Sequence, residues 1–87
     1  MEKENNINFI VKEKIQRIII LANSSMVNKK KVFISDINDE WYFCNIEKID
    51  VDDEMLYVKC FGPPKKNNTS PIIPIASIIK FDEIDGR

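Results

Sequence analysis

Apolar residues in the first quarter of the chain recur three and four positions apart. Ile7, Val11, Ile15, Ile18 and Ala22 form one stripe, widened by Ile10 and Ile19, while Lys12, Glu13, Gln16 and Arg17 fall mainly on the other side. That period predicts an amphipathic helix over residues 7–22. Asn5 or Asn6 is placed to cap its start, and Asn23-Ser24-Ser25 to end it. Ile18–Leu21 is also strongly β-favouring, so a strand beginning there is the competing reading.

From residue 29 the period falls to two. "KKKVFISDI" reads as a strand with Val32 and Ile34 on one face and Phe33 on the other. "DINDE" at 36–40 is turn chemistry, since Asp and Asn tolerate left-handed backbone and bond their own main chain. Residues 41–49 and 55–61 form two strands around an acidic knot, Asp50–Glu54. "GPPKKNNTSP" at 62–71 is a loop. "IIPI" at 72–75 is a short strand whose proline sets it at an edge or a bend, and residues 76–84 make a tight turn and a closing strand. The pattern predicts one α+β domain over residues 1–87: a helix, then a small, strongly bent, five-stranded antiparallel β-barrel over 29–84.

The central hairpin has a preferred register. With the turn centred on Asp52, Cys44 faces Cys60, Ile46 faces Val58, Phe43 faces Phe61, Asn45 faces Lys59, and Glu47 faces Tyr57. Alternation then sorts Tyr42, Cys44, Ile46, Leu56, Val58 and Cys60 onto a face suited to burial. The other face carries Phe43, Asn45, Glu47, Tyr57, Lys59 and Phe61, with Trp41 at its end. A slip of one residue would bury Asn45, Glu47 and Lys59, so the apolar pattern selects this register. The two cysteines lie far from Cys-x-x-Cys spacing. They read as small core hydrophobes, with a cross-strand disulfide as the alternative.

Charge modifies this picture only locally. The formal net charge is −1. Residues 1–34 carry seven basic and three acidic groups, 35–56 one lysine and eight acids, and 57–87 five basic and three acidic groups. A duplex binder normally shows a stronger basic excess, so a nucleic-acid partner is not favoured but stays open. No apolar run approaches the roughly 20 residues of a membrane span. The first residues lack the layout of a signal peptide, so a reducing, cytoplasmic setting is expected. The abundance of Ile, Lys and Asn is that of an AT-rich genome and would suit a bacterial mobile element or phage.

Candidate chemistry is sparse. There is no histidine and there are two glycines, which removes the commonest general base and any recognisable phosphate-binding glycine loop. Asp50, Asp52, Asp53 and Glu54 lack the ligand order and the turn glycine of a calcium-binding EF-hand loop, so they read as a solvated turn. No enzyme activity, cofactor or metal is expected. Three surfaces remain. The strip Trp41, Phe43, Tyr57 and Phe61, with Glu47 and Lys59 setting specificity, is a protein-binding candidate. Its alternatives are burial of both faces by strand bending, or cover by the helix or another subunit. Lys29, Lys30, Lys31, Lys65 and Lys66 are an anion-binding candidate whose plainer reading is solvated loops. The helical stripe packs on its own sheet or, alternatively, on a partner.

A helix followed by five short curved strands, with "WYFCNIEKID", "EMLYVKCF" and "IPIASIIKF" in order, resembles the Sm-like small β-barrel and, more broadly, Tudor-like barrels. The resemblance covers residues 7–84 and is architectural. It implies ring assembly by edge-strand pairing, often with RNA in the pore. The peptide motifs that contact RNA in that family are absent, so no RNA-binding residue carries over. Tudor-like domains hold methylated side chains in aromatic cages. Trp41, Tyr42, Phe43, Tyr57 and Phe61 supply the rings, but alternation splits them between faces. The expected function is non-catalytic binding: a homo-oligomeric inhibitor or adaptor that occupies or sequesters a protein partner. The alternative is an Sm-like ring binding RNA or a nucleotide through its basic loops.

Overall fold

The computed structural model describes the backbone of residues 2–84 and the side chains of residues 10–84. One helix, α1, spans Glu2–Val27, longer at both ends than expected. Asn5 and Asn6 lie within it and not at its start; their side chains, and that of Ile7, fall outside the described residues. Ile15, Ile18, Ala22 and Ser25 are buried, with Ile19 and Met26 packed beside them. Ile10 and Val11, expected in the same stripe, are exposed, and among the described side chains of α1 burial begins at Ile15. Ile18–Leu21 is helical and not a strand. Burying one isoleucine is worth about 1.5–3 kcal/mol, more than the few tenths its branched side chain costs in a helix.

Nor does Asn23-Ser24-Ser25 end the helix. Ser25 is buried, and its hydroxyl donates to Glu83 Oε2 at 3.1 Å, so the serine is satisfied without leaving the helix. Termination comes at Lys29, which stands at φ 55. Its amide donates to the Met26 carbonyl at 3.2 Å, and the Lys30 amide donates to the Ser25 carbonyl at 2.8 Å. This is a Schellman closure with lysine in the left-handed position that glycine usually takes.

Five antiparallel strands follow: β1 (Lys31–Asp36), β2 (Trp41–Asp50), β3 (Met55–Gly62), β4 (Ile72–Pro74) and β5 (Ile78–Ile84). Their order in the sheet is β4-β3-β2-β1-β5. Thus β4 and β5, at opposite edges, are joined only by a 3-10 turn, Ile75–Ser77. At about 2 Å rise per residue such a turn cannot cross a flat five-stranded sheet, so the sheet must bend until its edges approach. The turn is tied on both sides. Ile75 N–H donates to the Glu54 carbonyl at 2.9 Å, and Ser77 C=O accepts from the Ile37 amide at 2.9 Å. No ladder joins β4 to β5, so the sheet is bent but open where the sequence predicted a barrel.

Side-chain alternation follows the apolar pattern. Val32, Ile34, Cys44, Ile46, Leu56, Val58, Cys60, Ile73, Ile75 and Ile78 form one buried cluster with Ile15, Ile18 and Ala22. Asp36, also buried, accepts at Oδ1 from the amides of Asn38 (2.9 Å) and Glu40 (3.1 Å), which closes the β1–β2 turn. In the central hairpin Cys44 faces Cys60, Asn45 faces Lys59 and Ile46 faces Val58, as the pattern demands. Beyond them the register departs from expectation: Phe43 faces Gly62, and Lys48, not Glu47, faces Tyr57. The turn is a four-residue loop between Asp50 and Met55, with Asp50 Oδ1 accepting from Asp53 N–H at 3.0 Å and Glu54 at φ 56. The extra residue is absorbed as a bulge at Glu47, which keeps Ile49 opposite Leu56 and packed against the core.

Candidate functional site

Because the helix covers the cysteine face, the opposite face of β1–β3 is left open, and its side chains form rows across the strands. Ser35 faces Trp41; Phe33 faces Phe43; Lys31 faces Asn45, which in turn faces Lys59. A second irregularity, between Cys60 and Gly62, leaves Phe61 without a direct partner, yet its ring lies beside that of Phe43, with centroids 6.1 Å apart. Phe33 and Phe43 lie 5.3 Å apart, and Trp41 stands edge-on to Phe43 at 5.4 Å. Gly62 abuts this cluster: a β-carbon there would stand 3.4 Å from the Phe43 ring. Four rings from three strands therefore make one continuous patch. Trp41 and Phe61 remain 42 % and 41 % exposed.

Lysines border the rings. Lys31 Nζ lies 4.9 Å from the Phe61 centroid and Lys80 Nζ 6.0 Å from that of Phe33, distances at which a cation is attracted to an aromatic face. Lys59 Nζ donates to the Asn68 carbonyl at 3.3 Å. Lys66 is engaged internally. It donates to Glu40 Oε2 at 2.6 Å and to the Trp41 carbonyl at 2.7 Å, and sits 4.1 Å from the Tyr42 ring centroid. Burial raises the Tyr42 phenol above its usual value, helped by the negative charges of Asp36 and Glu40.

The sequence-predicted residues separate into groups. Trp41, Phe43 and Phe61 come together as expected. Tyr57 does not join them: it stands toward the hairpin turn beneath Lys48, whose Nζ lies 5.3 Å from its ring centroid. Glu47 and Lys59 share a depression of about 390 Å³ with Lys31, Asn45, Phe61 and Asn68. The five candidate anion-binding lysines form no common rim. Lys29 and Lys30 make the turn that ends α1, Lys31 lines the depression just described, and Lys65 and Lys66 line another beside Trp41, Pro63 and Pro64. Sequence reasoning missed Phe33 and Lys80 as members of the patch. Phe33 was already on the correct face, and pairing its strand with the next would have put it beside Phe43.

The inner face offers little reactivity. Both cysteines are unbridged and buried, and burial, with the facing Cys60, pushes the Cys44 thiol up to about 12. A thiol held protonated in this way is a poor nucleophile and metal ligand. Among the described residues, no group of three or more His, Cys, Asp or Glu side chains is arranged to hold a metal ion, and no helix is long and apolar enough to cross a membrane. No protein-family model, curated protein sequence or solved structure matches this chain.

Proposed function

We propose that this protein is a non-catalytic binding protein that occupies or sequesters a protein partner through the outer face of its sheet. The observation that carries this reading is the patch of Phe33, Trp41, Phe43 and Phe61, open on the side away from the helix. Aromatic side chains supply large contact area at low entropic cost and dominate binding energies, while contiguous exposed apolar patches are unusual on monomeric surfaces. Self-association belongs to the same proposal. β4 and β5 both present an unpaired edge, and a bent sheet behind a helix supports the small-barrel, Sm-like reading in which edge strands join copies. The unbridged, facing thiols suit a reducing, cytoplasmic setting. The alternative, RNA held by basic loops, draws less support, because Lys66 is folded onto Glu40 and Tyr42, and Lys29 and Lys30 end a helix.

Sedimentation and native mass spectrometry test the reading. Wild-type protein is expected above the 10.2 kDa of one chain, and a Trp41→Ala, Phe61→Ala double variant is expected to keep its circular dichroism and melting profile while associating more weakly. A wild-type monomer at every concentration would remove the self-association claim. Unfolding of the double variant would move the rings into the core and remove the contact surface.

A further inference from the structure

Next to the aromatic patch runs a row of different chemistry: Lys31 on β1, Asn45 on β2 and Lys59 on β3, directly paired across the strands. With Phe61, Glu47 and Asn68 it lines a depression of about 390 Å³, within the roughly 300–1,000 Å³ of small-molecule sites. We infer that this depression binds a nucleoside phosphate, taken either as a free nucleotide or as one unit of a single strand.

The groups present select that ligand class together. Lys31 and Lys59 form no ion pair with any described carboxylate, and the ion pairs nearby involve Lys66 with Glu40 and Lys80 with Asp82. Lys59 Nζ donates to the neutral Asn68 carbonyl at 3.3 Å and Lys31 Nζ rests over the Phe61 ring, so on the strands flanking Asn45 a phosphate would displace neutral partners and not a carboxylate. The Phe61 ring is 41 % exposed, and a cation already rests on its face. A nucleobase stacks on such a face, and a phosphate on the same ligand draws Lys31 away from it. Asn45 and Asn68 supply amide donors and acceptors for a base edge. Glu47 repels a bare polyanion but accepts a hydrogen bond from a ribose hydroxyl or an exocyclic amine. Inorganic phosphate would leave the ring and the amides unused and would meet Glu47. An acidic peptide would leave the ring without a stacking partner. A nucleoside phosphate uses all of these groups. Alternation from Asn45 puts Glu47 on this face, and the bulge there brings Lys48 opposite Tyr57 on the same side. The site shares Phe61 with the aromatic patch but not Trp41, which lines a different depression.

The test is calorimetry and amide-resolved NMR titration of the intact chain with four probes: adenosine 5′-monophosphate, uridine 5′-monophosphate, a mixed-sequence RNA hexamer and inorganic phosphate. Saturable binding of a nucleotide or the hexamer is expected, with shifts of the Asn45 and Asn68 side-chain amides. Inorganic phosphate should bind at least about tenfold more weakly. A Lys31→Gln, Lys59→Gln double variant should lose about tenfold or more in affinity, and each removed lysine that contacts a phosphate should lower the log–log salt slope by about one. Trp41→Ala, in the neighbouring depression, should leave nucleotide binding intact while weakening partner association, which separates the two sites. A hexamer markedly tighter than both mononucleotides assigns the site to a single strand; equal affinities assign it to a free nucleotide. Absence of saturable binding by all three nucleotide probes overturns the inference. So does phosphate binding as tight as nucleotide binding, or affinity unchanged in the lysine double variant.

Discussion

On β1–β3, Val32, Ile34, Cys44, Ile46, Leu56, Val58 and Cys60 point one way and are buried; Lys31, Phe33, Phe43, Asn45, Lys59 and Phe61 point the other and are not. The two faces share a backbone, a register and a length, and they differ in what covers them. Aliphatic and thiol side chains meet a helix whose Ile15, Ile18 and Ala22 close over them. Aromatic rings on the outer face meet mainly one another and the stems and ammonium groups of nearby lysines. Deep burial is therefore confined to one side, and rings that would be ordinary core residues elsewhere are left partly exposed.

The contrast breaks most visibly under truncation. Leu56→Ala, at a fully buried position, should cost about 2–5 kcal/mol in denaturant unfolding. Phe61→Ala, at a position 41 % exposed, should cost well under half as much and be read mainly in association. Equal losses would make the two faces equivalent and end the distinction. A smaller effect sits where the core takes in a carboxylate. Asp36→Ala removes the acceptor for two amides of the β1–β2 turn and should cost about 1.5–3 kcal/mol, shown by faster hydrogen exchange at Asn38 and Glu40.

Alkaline titration sharpens the comparison further. Cys44 is raised from its ordinary value of 9.0 to about 12. Below pH 9 the thiol is protonated in both folded and unfolded chains and contributes no pH dependence. Between about pH 9 and 12 the unfolded chain releases this proton and the folded chain keeps it, so stability falls as pH rises. A Cys44→Ala variant, whatever its stability at pH 7, should show a shallower decline over that window in melts taken at successive pH values. The smallest effect lies outside both faces. Lys29→Gly relieves a left-handed lysine at φ 55 and should raise stability by about 0.5–1 kcal/mol. No gain would mean that the Schellman closure is not where the helix is held.

Much of this arrangement is legible in the chain because the inner set is uniformly apolar. A one-residue slip would bury Asn45 and Lys59, so period two, with the turn placed in the acidic knot, pairs Cys44 with Cys60. The bulge at Glu47 is not legible in the same way. It depends on whether the acidic knot closes as a turn centred on Asp52 or as four residues between Asp50 and Met55, and several acids serve either turn equally well. The helix end escapes for a related reason: Lys29 carries no mark of a left-handed position, and Ser25 reads as a stop until Glu83 of β5 is seen to accept its hydroxyl hydrogen. Lys66 is a long-range case, since its partner Glu40 lies 26 positions away, beyond any local pattern. The patch itself was partly visible, as alternation turned Trp41, Phe43 and Phe61 outward. Its fourth ring, Phe33, required knowing which strand lies beside which.

The strand order has a consequence for how the molecule is made. β1, among the first strands to leave the ribosome, takes as one of its two neighbours β5, the last. Until residues 78–84 emerge, Val32 and Ile34 sit in an edge strand with one flank bare, and Ser25 lacks its acceptor, Glu83. A nascent chain stalled before Ile78 should be sticky and readily digested, and folding should come late, because the β1–β5 ladder joins segments far apart along the chain.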